Sequence, residues 1–254
     1  GYNVLDGVRP EDYATFTDEL VSSLRHLVTA KNPAGWGARM DDILVNAARP
    51  LFDLPEGESK GTILGLVRML NNKQYREWVI NQCPEKTVHD FWYSEFAGWS
   101  KSEQGGNLNS SLNKIRRLQS SPILRRILGQ QNSRINFKKS INEGQILIFD
   151  FNKWCMGEAN ANMLASLVLS RLVYEGTRRT IPKINGVAAN KLVIPFHIYI
   201  DEFHSVTSLS MVEALSGIRK FRIGFTLCHQ YTDQLPRAIL EAIKGNVGTK
   251  IVFR

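Results

Sequence analysis

The sequence predicts an α/β fold in which a mostly helical first half precedes a second half of alternating strands and helices. From about residue 11 to 140 the apolar residues recur with a helical period, and after residue 140 short apolar runs alternate with helical segments. Continuous apolar strands that alternate with helices are typical of a parallel sheet covered on both faces. The length of 254 residues, with 43% hydrophobic and 22% charged residues, excludes the fibrous and disordered classes.

In the first half we predict seven helices, separated by loops rich in Gly, Pro and polar residues. Their predicted ranges are 11–29, 39–52, 61–71, 73–81, 87–100, 108–119 and 122–129. The last of them carries signals at both ends. Ser121 precedes Pro122 as an N-cap before a first-turn proline, and Gly129 stands where a C-cap is expected.

In the second half we predict four short apolar strands joined by helices. The predicted strands are 145–151, 194–201, 222–228 and 249–253. The predicted helices between them are 159–177, 206–219 and 232–244. The polar stretch 180–192 is predicted to be an exposed loop.

The net charge is concentrated in one segment. The chain has 32 Lys and Arg against 24 Asp and Glu, which gives +8. Residues 111–140 contain eight of these cations and no acid, so the rest of the chain sums to zero. A basic surplus favours a nucleic-acid or anionic-surface partner without indicating a fold.

Within this basic segment, apolar residues such as Leu112, Ile115 and Leu118 form a stripe, so the cations occupy the other faces of two short helices. One interpretation is a solvated face or a subunit contact. The other is contact with phosphates of DNA or nucleotide. The DNA-binding candidates are Arg116, Arg117, Arg125 and Arg126.

Cysteine usage and hydropathy bear on the compartment. Cys83, Cys155 and Cys228 are odd in number and far apart, so we expect neither a disulfide framework nor a zinc module. No stretch approaches the ~20 apolar residues that span a bilayer. We therefore predict a cytoplasmic chain without a membrane segment.

Two acids end the second predicted strand. Asp201 and Glu202 follow the apolar run HIYI, which is the Walker B pattern. The first carboxylate would hold hydrated Mg²⁺, and the second would orient or deprotonate the attacking water. The alternative is that both acids are helix N-terminal residues favoured by the helix dipole.

Further polar residues lie around the third predicted strand. Gln230 follows the end of this strand, where an amide suits sensing of a γ-phosphate or positioning of water. Arg219 ends the preceding predicted helix. It either complements that helix terminus or reaches a phosphate in a neighbouring subunit.

These segments together resemble a known family. The runs IYIDEF, GIRKFRIGFTLCHQYTDQL and GNVGTKIVFR resemble the C-terminal ATPase core of FtsK/HerA-type P-loop motors. Within that branch the chain is most similar to the TraG-like conjugative coupling proteins of type IV secretion. Upstream runs such as YNVLD, VHDFWYSEF and INEGQILIFDFNK resemble the same family more loosely.

The resemblance implies a RecA-like P-loop NTPase core with a mainly parallel sheet and a mostly helical inserted domain. It divides the chain into the N-terminal part of the core at 1–30, the all-α insertion at 31–110, and the return segment and core at 111–254. Such proteins are hexameric ATPases that use ATP and Mg²⁺ to move or deliver DNA. Relaxase or secretion-system partners, and a parent protein at the cytoplasmic face of the inner membrane, are further implications.

The resemblance also assigns roles to matching residues. Asp201 would be the Walker B acid that acts on Mg²⁺, and Glu202 would be the catalytic base. Gln230 would be the phosphate sensor, and Arg219 the arginine finger offered to the next subunit. Arg254 would be a second arginine that acts in trans and contacts nucleotide.

One essential family motif is missing. The 254 residues contain no G-x-x-x-x-G-K-[ST], and the nearest runs, GESKGT at 57–62 and GNVGTK at 245–250, have the wrong spacing. The chain also begins and ends beside strand-like runs, so we expect it to belong to a longer polypeptide. Alone, we expect it neither to bind ATP tightly nor to hydrolyse it. The alternatives are a non-hydrolysing ring or DNA- or protein-binding subunit, and a helical half that recognises transfer substrates.

Three other patterns are better explained structurally. The G-x-S-x-G run at 57–61 lacks the strand that a nucleophile elbow needs before its Ser. His197, Asp201 and His204 do not form a convincing zinc set, since His197 lies within the strand. The tryptophans of the helical half are predicted to be core anchors; they are Trp78, Trp92 and Trp99.

Overall fold

The computed structural model describes most of the chain. The described residues are 1–29, 35–57, 60–184, 187–188, 193–206, 215, 217–231, 235 and 237–252. The chain divides into two compact units, Gly1–Ile135 and Asn136–Arg254. Within the described residues, no helix combines the length and apolar character needed to cross a bilayer.

The first unit is helical, as the periodicity predicts. Its helices are α1 (Tyr13–Thr29), α2 (Ala38–Ala48), α3 (Ile63–Asn71), α4 (Lys73–Gln82), α5 (Lys86–Asp90), α6 (Phe96–Gly98), α7 (Lys101–Ile115), α8 (Arg117–Ser120) and α9 (Pro122–Leu128). Short 3₁₀ helices at Pro10–Asp12 and Arg49–Asp53 extend α1 and α2, and a π-helical turn at Phe91–Glu95 joins α5 to α6. Each of the seven predicted helices overlaps one or more of these.

Capping side chains explain where several helices begin. Ser121 accepts a hydrogen bond from the backbone N–H of Leu124 and so caps α9, as predicted. α7 begins seven residues before its predicted start because Ser100 and Glu103 form a capping box. This box outweighs the low helix propensity of the two glycines that follow it in the sequence.

The core of the first unit forms around α3. Leu66, Val67 and Met69 are fully buried, and α3 packs against α2, α4 and α7. Trp92 is buried too, and the guanidinium of Arg76 lies 5.2 Å from its ring centroid. Trp92 is therefore a core anchor, as predicted.

Trp78 does not follow that prediction. Its side chain is 38% exposed, so it does not belong to the fully buried core. Trp99 lies between these extremes, with its ring against Phe96 and beneath the guanidinium of Arg39.

A buried asparagine ties the N-terminal segment to the first unit. Asn3 is fully buried and donates from Nδ2 to the carbonyls of Gly61 and Gln131, both at 2.8 Å. Nearby, Lys60 Nζ lies 2.8 Å from Asp6 Oδ1. These bonds join residues more than 50 positions apart, which local periodicity does not reveal.

The second unit combines helices with two small sheets. Its elements are α10 (Phe137–Glu143), α11 (Lys153–Met156), α12 (Glu158–Thr177), β1 (Lys183–Ile184), β2 (Val187–Ala188), β3 (Phe196–Ile200), β4 (Ile223–Leu227) and α13 (Arg237–Asn246). β1 and β2 pair antiparallel, whereas β3 and β4 pair parallel. α12 is buried along most of its length, in agreement with its predicted apolar character.

The predicted RecA-like core with a mainly parallel, many-stranded sheet is wrong. In the described residues the parallel sheet has only the two strands β3 and β4. The predicted strand 145–151 has no regular secondary structure, and Ile146 and Ile148 are each 89% exposed. Residues 249–252 likewise form no strand. A strand needs a partner edge for its hydrogen bonds, and an apolar run does not show whether the chain supplies one.

Other predicted elements of the second half lie partly outside the described residues. Of the predicted helix 206–219, only residues 206, 215 and 217–219 are described, and the last of them enter a 3₁₀ turn at Ile218–Phe221. The predicted loop 180–192 contains the β1–β2 pair in its described part.

Arg179 connects separate segments of the second unit. Its side chain is buried, and Nη2 donates to the carbonyls of Ile141 and Ile194 at 3.2 and 2.8 Å. Nη1 donates to the carbonyl of Phe221, just before β4. One guanidinium therefore joins the end of α10 to the segments that enter β3 and β4.

Candidate functional site

The parallel pairing of β3 and β4 sets the geometry of the candidate site. Ile200 is paired with Leu227, so both strands end at the same edge of the sheet. Asp201 and Glu202 follow β3 directly, and Gln230 follows β4 by three residues. Gln230 Nε2 donates a hydrogen bond of 2.5 Å to Glu202 Oε1. Two residues 28 positions apart, both predicted to be functional, are thus brought into contact.

The backbone at Glu202 is held in a conformation that is uncommon for this residue type. Its φ of 49° and ψ of 46° lie in the left-handed region, which costs a non-glycine residue about 1–3 kcal/mol. The N–H of Phe203 donates to the carbonyl of Cys228, which ties this turn to the end of β4. Ser205 donates to the Glu202 carbonyl from both its hydroxyl and its N–H. These bonds fix the direction in which the Glu202 side chain leaves the strand.

Asp201 is exposed at the same edge. Its Oδ1 accepts a hydrogen bond of 2.9 Å from the N–H of Glu202, which leaves Oδ2 directed to no partner in the described residues. Magnesium in phosphoryl-transfer sites is held by one or two carboxylates, water and substrate phosphates, rather than by a protein cage. One exposed carboxylate fits that role. The described residues contain no group of three or more His, Cys, Asp or Glu side chains that would enclose a metal ion.

The remaining predicted site residues lie elsewhere. Arg219 is exposed in the 3₁₀ turn before β4, at the opposite end of the strand from Gln230. Five residues of strand separate the two ends, which corresponds to roughly 16 Å. The structure therefore does not bring Arg219 to the acids of its own chain. Arg254 lies outside the described residues.

A groove of about 650 Å³ runs beside β3. Its walls come from residues 146–151, α12 and β3, and Asp201 and Glu202 also line it. The groove is mainly apolar because side chains such as Val168 and Leu172 of α12 contribute to it. Sequence reasoning missed this groove, because it expected residues 145–151 to be a strand, whereas they line the groove without regular secondary structure.

Sequence reasoning also missed a contact of Glu202 with His204. His204 Nδ1 lies 3.3 Å from Glu202 Oε2, in a 3₁₀ turn formed by Phe203–Ser205. The only signal in the sequence was the presence of an imidazole two residues after the second acid. Without the left-handed turn at Glu202, that spacing does not indicate a contact.

The basic segment presents its candidate arginines outward. Leu118, Leu124 and Leu128 are fully buried, so α8 and α9 attach to the first unit through these residues. The side chains on the other faces are exposed and form no ion pair with any residue that the structure describes; they are Arg116, Arg117, Arg125 and Arg126. The amphipathic arrangement of this segment is as predicted.

Comparisons with protein-family models, with curated proteins and with solved structures found no match to this chain. The functional assignment therefore rests on the residues and on the geometry that connects them.

Proposed function

We propose that this chain is part of a DNA-translocating or DNA-coupling motor ATPase and carries the Walker B and sensor residues of its hydrolytic site. The observation that supports this proposal is the hydrogen bond between Gln230 and Glu202 across the ends of two parallel strands. An acid pair and an amide at one sheet edge suit γ-phosphate transfer to water, where catalysis depends on positioning and charge stabilisation.

Each side chain has a distinct role in this proposal. Asp201, with an exposed carboxylate oxygen, holds hydrated Mg²⁺. When bound, Mg²⁺ offsets the charge of the nucleotide phosphates. Glu202 orients and deprotonates the attacking water, and Gln230 reports on the γ-phosphate through its amide. ATP and Mg²⁺ are the proposed cofactors.

The place of Arg219 favours action on a neighbouring subunit. It is exposed and lies at the far end of β4 from the acids, so it cannot serve the same nucleotide as they do. In a ring such as a hexamer, an arginine supplied in trans couples hydrolysis to subunit contact and contributes ~10³–10⁵ in rate. Arg254 is proposed as a second arginine of this kind.

The basic face of α8 and α9 is the proposed DNA contact. Four exposed arginines without ion-pair partners in the described residues suit phosphate binding. Changing all four to Gln should lower the slope of log affinity against log salt by about one unit per lost contact. The residues are Arg116, Arg117, Arg125 and Arg126.

The matched control removes four exposed cations from other surfaces, so that its net charge equals that of the arginine variant. It changes Lys73, Lys86, Lys101 and Lys244 to Gln. The control should retain the salt slope of duplex DNA binding. An equal loss in both quadruple variants would mean that net charge alone attracts DNA, and unchanged binding in the arginine variant would exclude this face.

A second candidate function is a non-hydrolysing ring or binding subunit. It is favoured by the absence of G-x-x-x-x-G-K-[ST] from the 254 residues, because that loop supplies the amides and lysine that hold phosphates. Relaxase or secretion-system proteins are the proposed partners under either function. In both cases we expect no measurable ATP turnover by this chain alone.

The two functions differ in whether Mg²⁺ and ATP bind at the end of β3. With Mn²⁺ as a paramagnetic substitute and millimolar ATP, NMR signals of Asp201 and Gln230 should broaden, and Asp201→Asn should abolish this effect. Broadening that Asp201→Asn leaves unchanged, or no broadening at this edge, would exclude the hydrolytic function and leave the binding subunit.

A further inference from the structure

His204 follows Glu202 by two residues and has no role in the proposed function. Its imidazole is mostly shielded, with 24% of the side chain exposed, and Nδ1 lies 3.3 Å from Glu202 Oε2. This is an ion-pair distance rather than an aligned hydrogen bond. It nevertheless places a polar ring atom against the carboxylate oxygen that Gln230 does not contact.

The two oxygens of Glu202 are therefore divided between two side chains. Gln230 contacts Oε1 from the end of β4, and His204 contacts Oε2 from the turn after β3. These contacts approach the carboxylate from different segments of the chain. The hydrogen bond from Gln230 and the close approach of Nδ1 together leave the carboxylate less room to rotate than the hydrogen bond alone would.

The backbone around His204 is fixed by its neighbours. Phe203, the residue before it, is fully buried and bonded to the carbonyl of Cys228. Ser205, the residue after it, bonds to the carbonyl of Glu202 through both its hydroxyl and its N–H. His204 is thus held over Glu202 by the same bonds that set the left-handed turn.

We propose that His204 is a positioning residue for Glu202, and that its Nδ1 holds the second carboxylate oxygen in the direction needed to orient water. This inference rests on the proposed role of Glu202 in hydrolysis. The contact itself does not depend on nucleotide and can be measured in its absence. His204 acts through Glu202 and is not assigned a contact with substrate.

Three substitutions separate positioning from simple space filling. His204→Phe keeps a ring of similar size but removes Nδ1, whereas His204→Asn keeps a polar nitrogen close to the position of Nδ1. The matched control is His197→Phe, which changes an exposed histidine of β3 that has no contact with Glu202.

The measurement is the side-chain amide signal of Gln230 in the full chain without nucleotide, because this amide is bonded to Glu202. We expect His204→Phe to lose the distinct chemical shift and exchange protection of this amide. We expect His204→Asn and His197→Phe to retain both. If His204→Phe does not fold, as judged by the remaining amide spectrum, His204→Ala replaces it with the same expected loss.

An unchanged Gln230 amide in the folded Phe or Ala variant would overturn the proposal, and so would its loss in His204→Asn. Failure of the proposed function has a different signature. In that case the amide pattern follows His204 as expected, but Mn²⁺ and ATP leave the signals of Asp201 and Gln230 sharp.

Discussion

The two units of the molecule differ in how completely they cover their large apolar side chains. In the described part of the first unit, only Trp78 and Tyr93 among the large apolar residues are exposed, at 38% and 49%. The second unit exposes several, with Ile148 at 89% and Trp154 at 99%. Four of the exposed residues lie in two segments that were predicted to be strands and form none in the described residues: Ile146 and Ile148 in 145–151, and Ile251 and Val252 in 249–253.

This difference follows from how helices and strands satisfy their backbone hydrogen bonds. A helix satisfies its own backbone and needs neighbours for only one face, so the first unit forms its core from nearby helices. A strand leaves hydrogen-bonding groups along both edges, and within the described residues β3 and β4 pair only along the edges that they share. The candidate site and the groove both lie in the second unit, whose large apolar side chains are less completely covered.

The largest expected effect on stability is at Arg179 in the second unit. Arg179→Met would leave the buried carbonyl of Ile141 and the partly buried carbonyls of Ile194 and Phe221 without this donor, which should cost about 2–3 kcal/mol. Urea unfolding followed through the backbone amide NMR signals of α12, which is buried along most of its length, measures this change in free energy. The exposed Arg219→Met is the control and should change stability by less than about 0.5 kcal/mol. Equal losses of unfolding free energy in both variants would mean that the hydrogen bonds of Arg179 to these three carbonyls do not stabilise the unit.

The next effect compares thiols of the two units. Burial raises the pKa of Cys83 in the first unit to about 11, whereas Cys155 and Cys228 in the second unit are exposed. Because the thiolate is the reactive form, Cys83 should react with a disulfide reagent more than ~100-fold slower than the other two at neutral pH. Reagent titration should therefore show two fast thiols and one slow thiol. Three equally fast thiols would mean that the core of the first unit is open.

A smaller effect is the acid sensitivity of the first unit. Burial raises the pKa of Asp6, but hydrogen bonds with Lys60 and Ser133 outweigh it and leave the pKa below its ordinary value of 3.8. A lowered carboxyl pKa adds stability at neutral pH that is lost as the pH falls below about 4. Asp6→Asn should remove about 1 kcal/mol at pH 7 and flatten this part of the pH dependence. An unchanged acid slope of unfolding free energy in Asp6→Asn would show that the pair does not contribute.

The smallest effect on stability should come from the exposed apolar residues of the second unit. Ile146→Thr with Ile148→Thr should change the unfolding free energy by less than about 0.5 kcal/mol per site, because both side chains are 89% exposed. Binding of a hydrophobic dye should fall at the same time. In contrast, Ile43→Thr in the fully buried core of the first unit should destabilise strongly. A large loss from the Ile146 and Ile148 changes would mean that this segment is packed.

The helices could be predicted from the sequence because their signals are local. Ser121, Pro122 and the apolar stripe of α9 lie within one short segment, and the structure places them as expected. The strands show the limit of this approach. HIYI and IGFTL formed β3 and β4, whereas the equally apolar run 145–151 did not pair, because pairing depends on a partner edge elsewhere in the chain.

The candidate site could be predicted only in part, because some of its residues carry local signals and others depend on contacts with distant segments. Asp201, Glu202 and Gln230 were identified by their places after apolar runs, and a parallel register is enough to bring two of them into contact. His204 was missed because its contact depends on the left-handed backbone at Glu202 and on the bond from Phe203 to Cys228. Asn3 and Arg179 were missed because their acceptors come from distant segments.

The most direct test of the central claim is a residue-resolved NMR titration of the chain with Mn²⁺ and ATP, recorded for the wild type and for Asp201→Asn. We expect the strongest broadening at Asp201, Glu202 and Gln230, much weaker broadening at the exposed Arg219 at the far end of β4, and loss of the effect in Asp201→Asn. Broadening centred on Arg219 or in the first unit, or broadening that survives Asp201→Asn, would contradict the account.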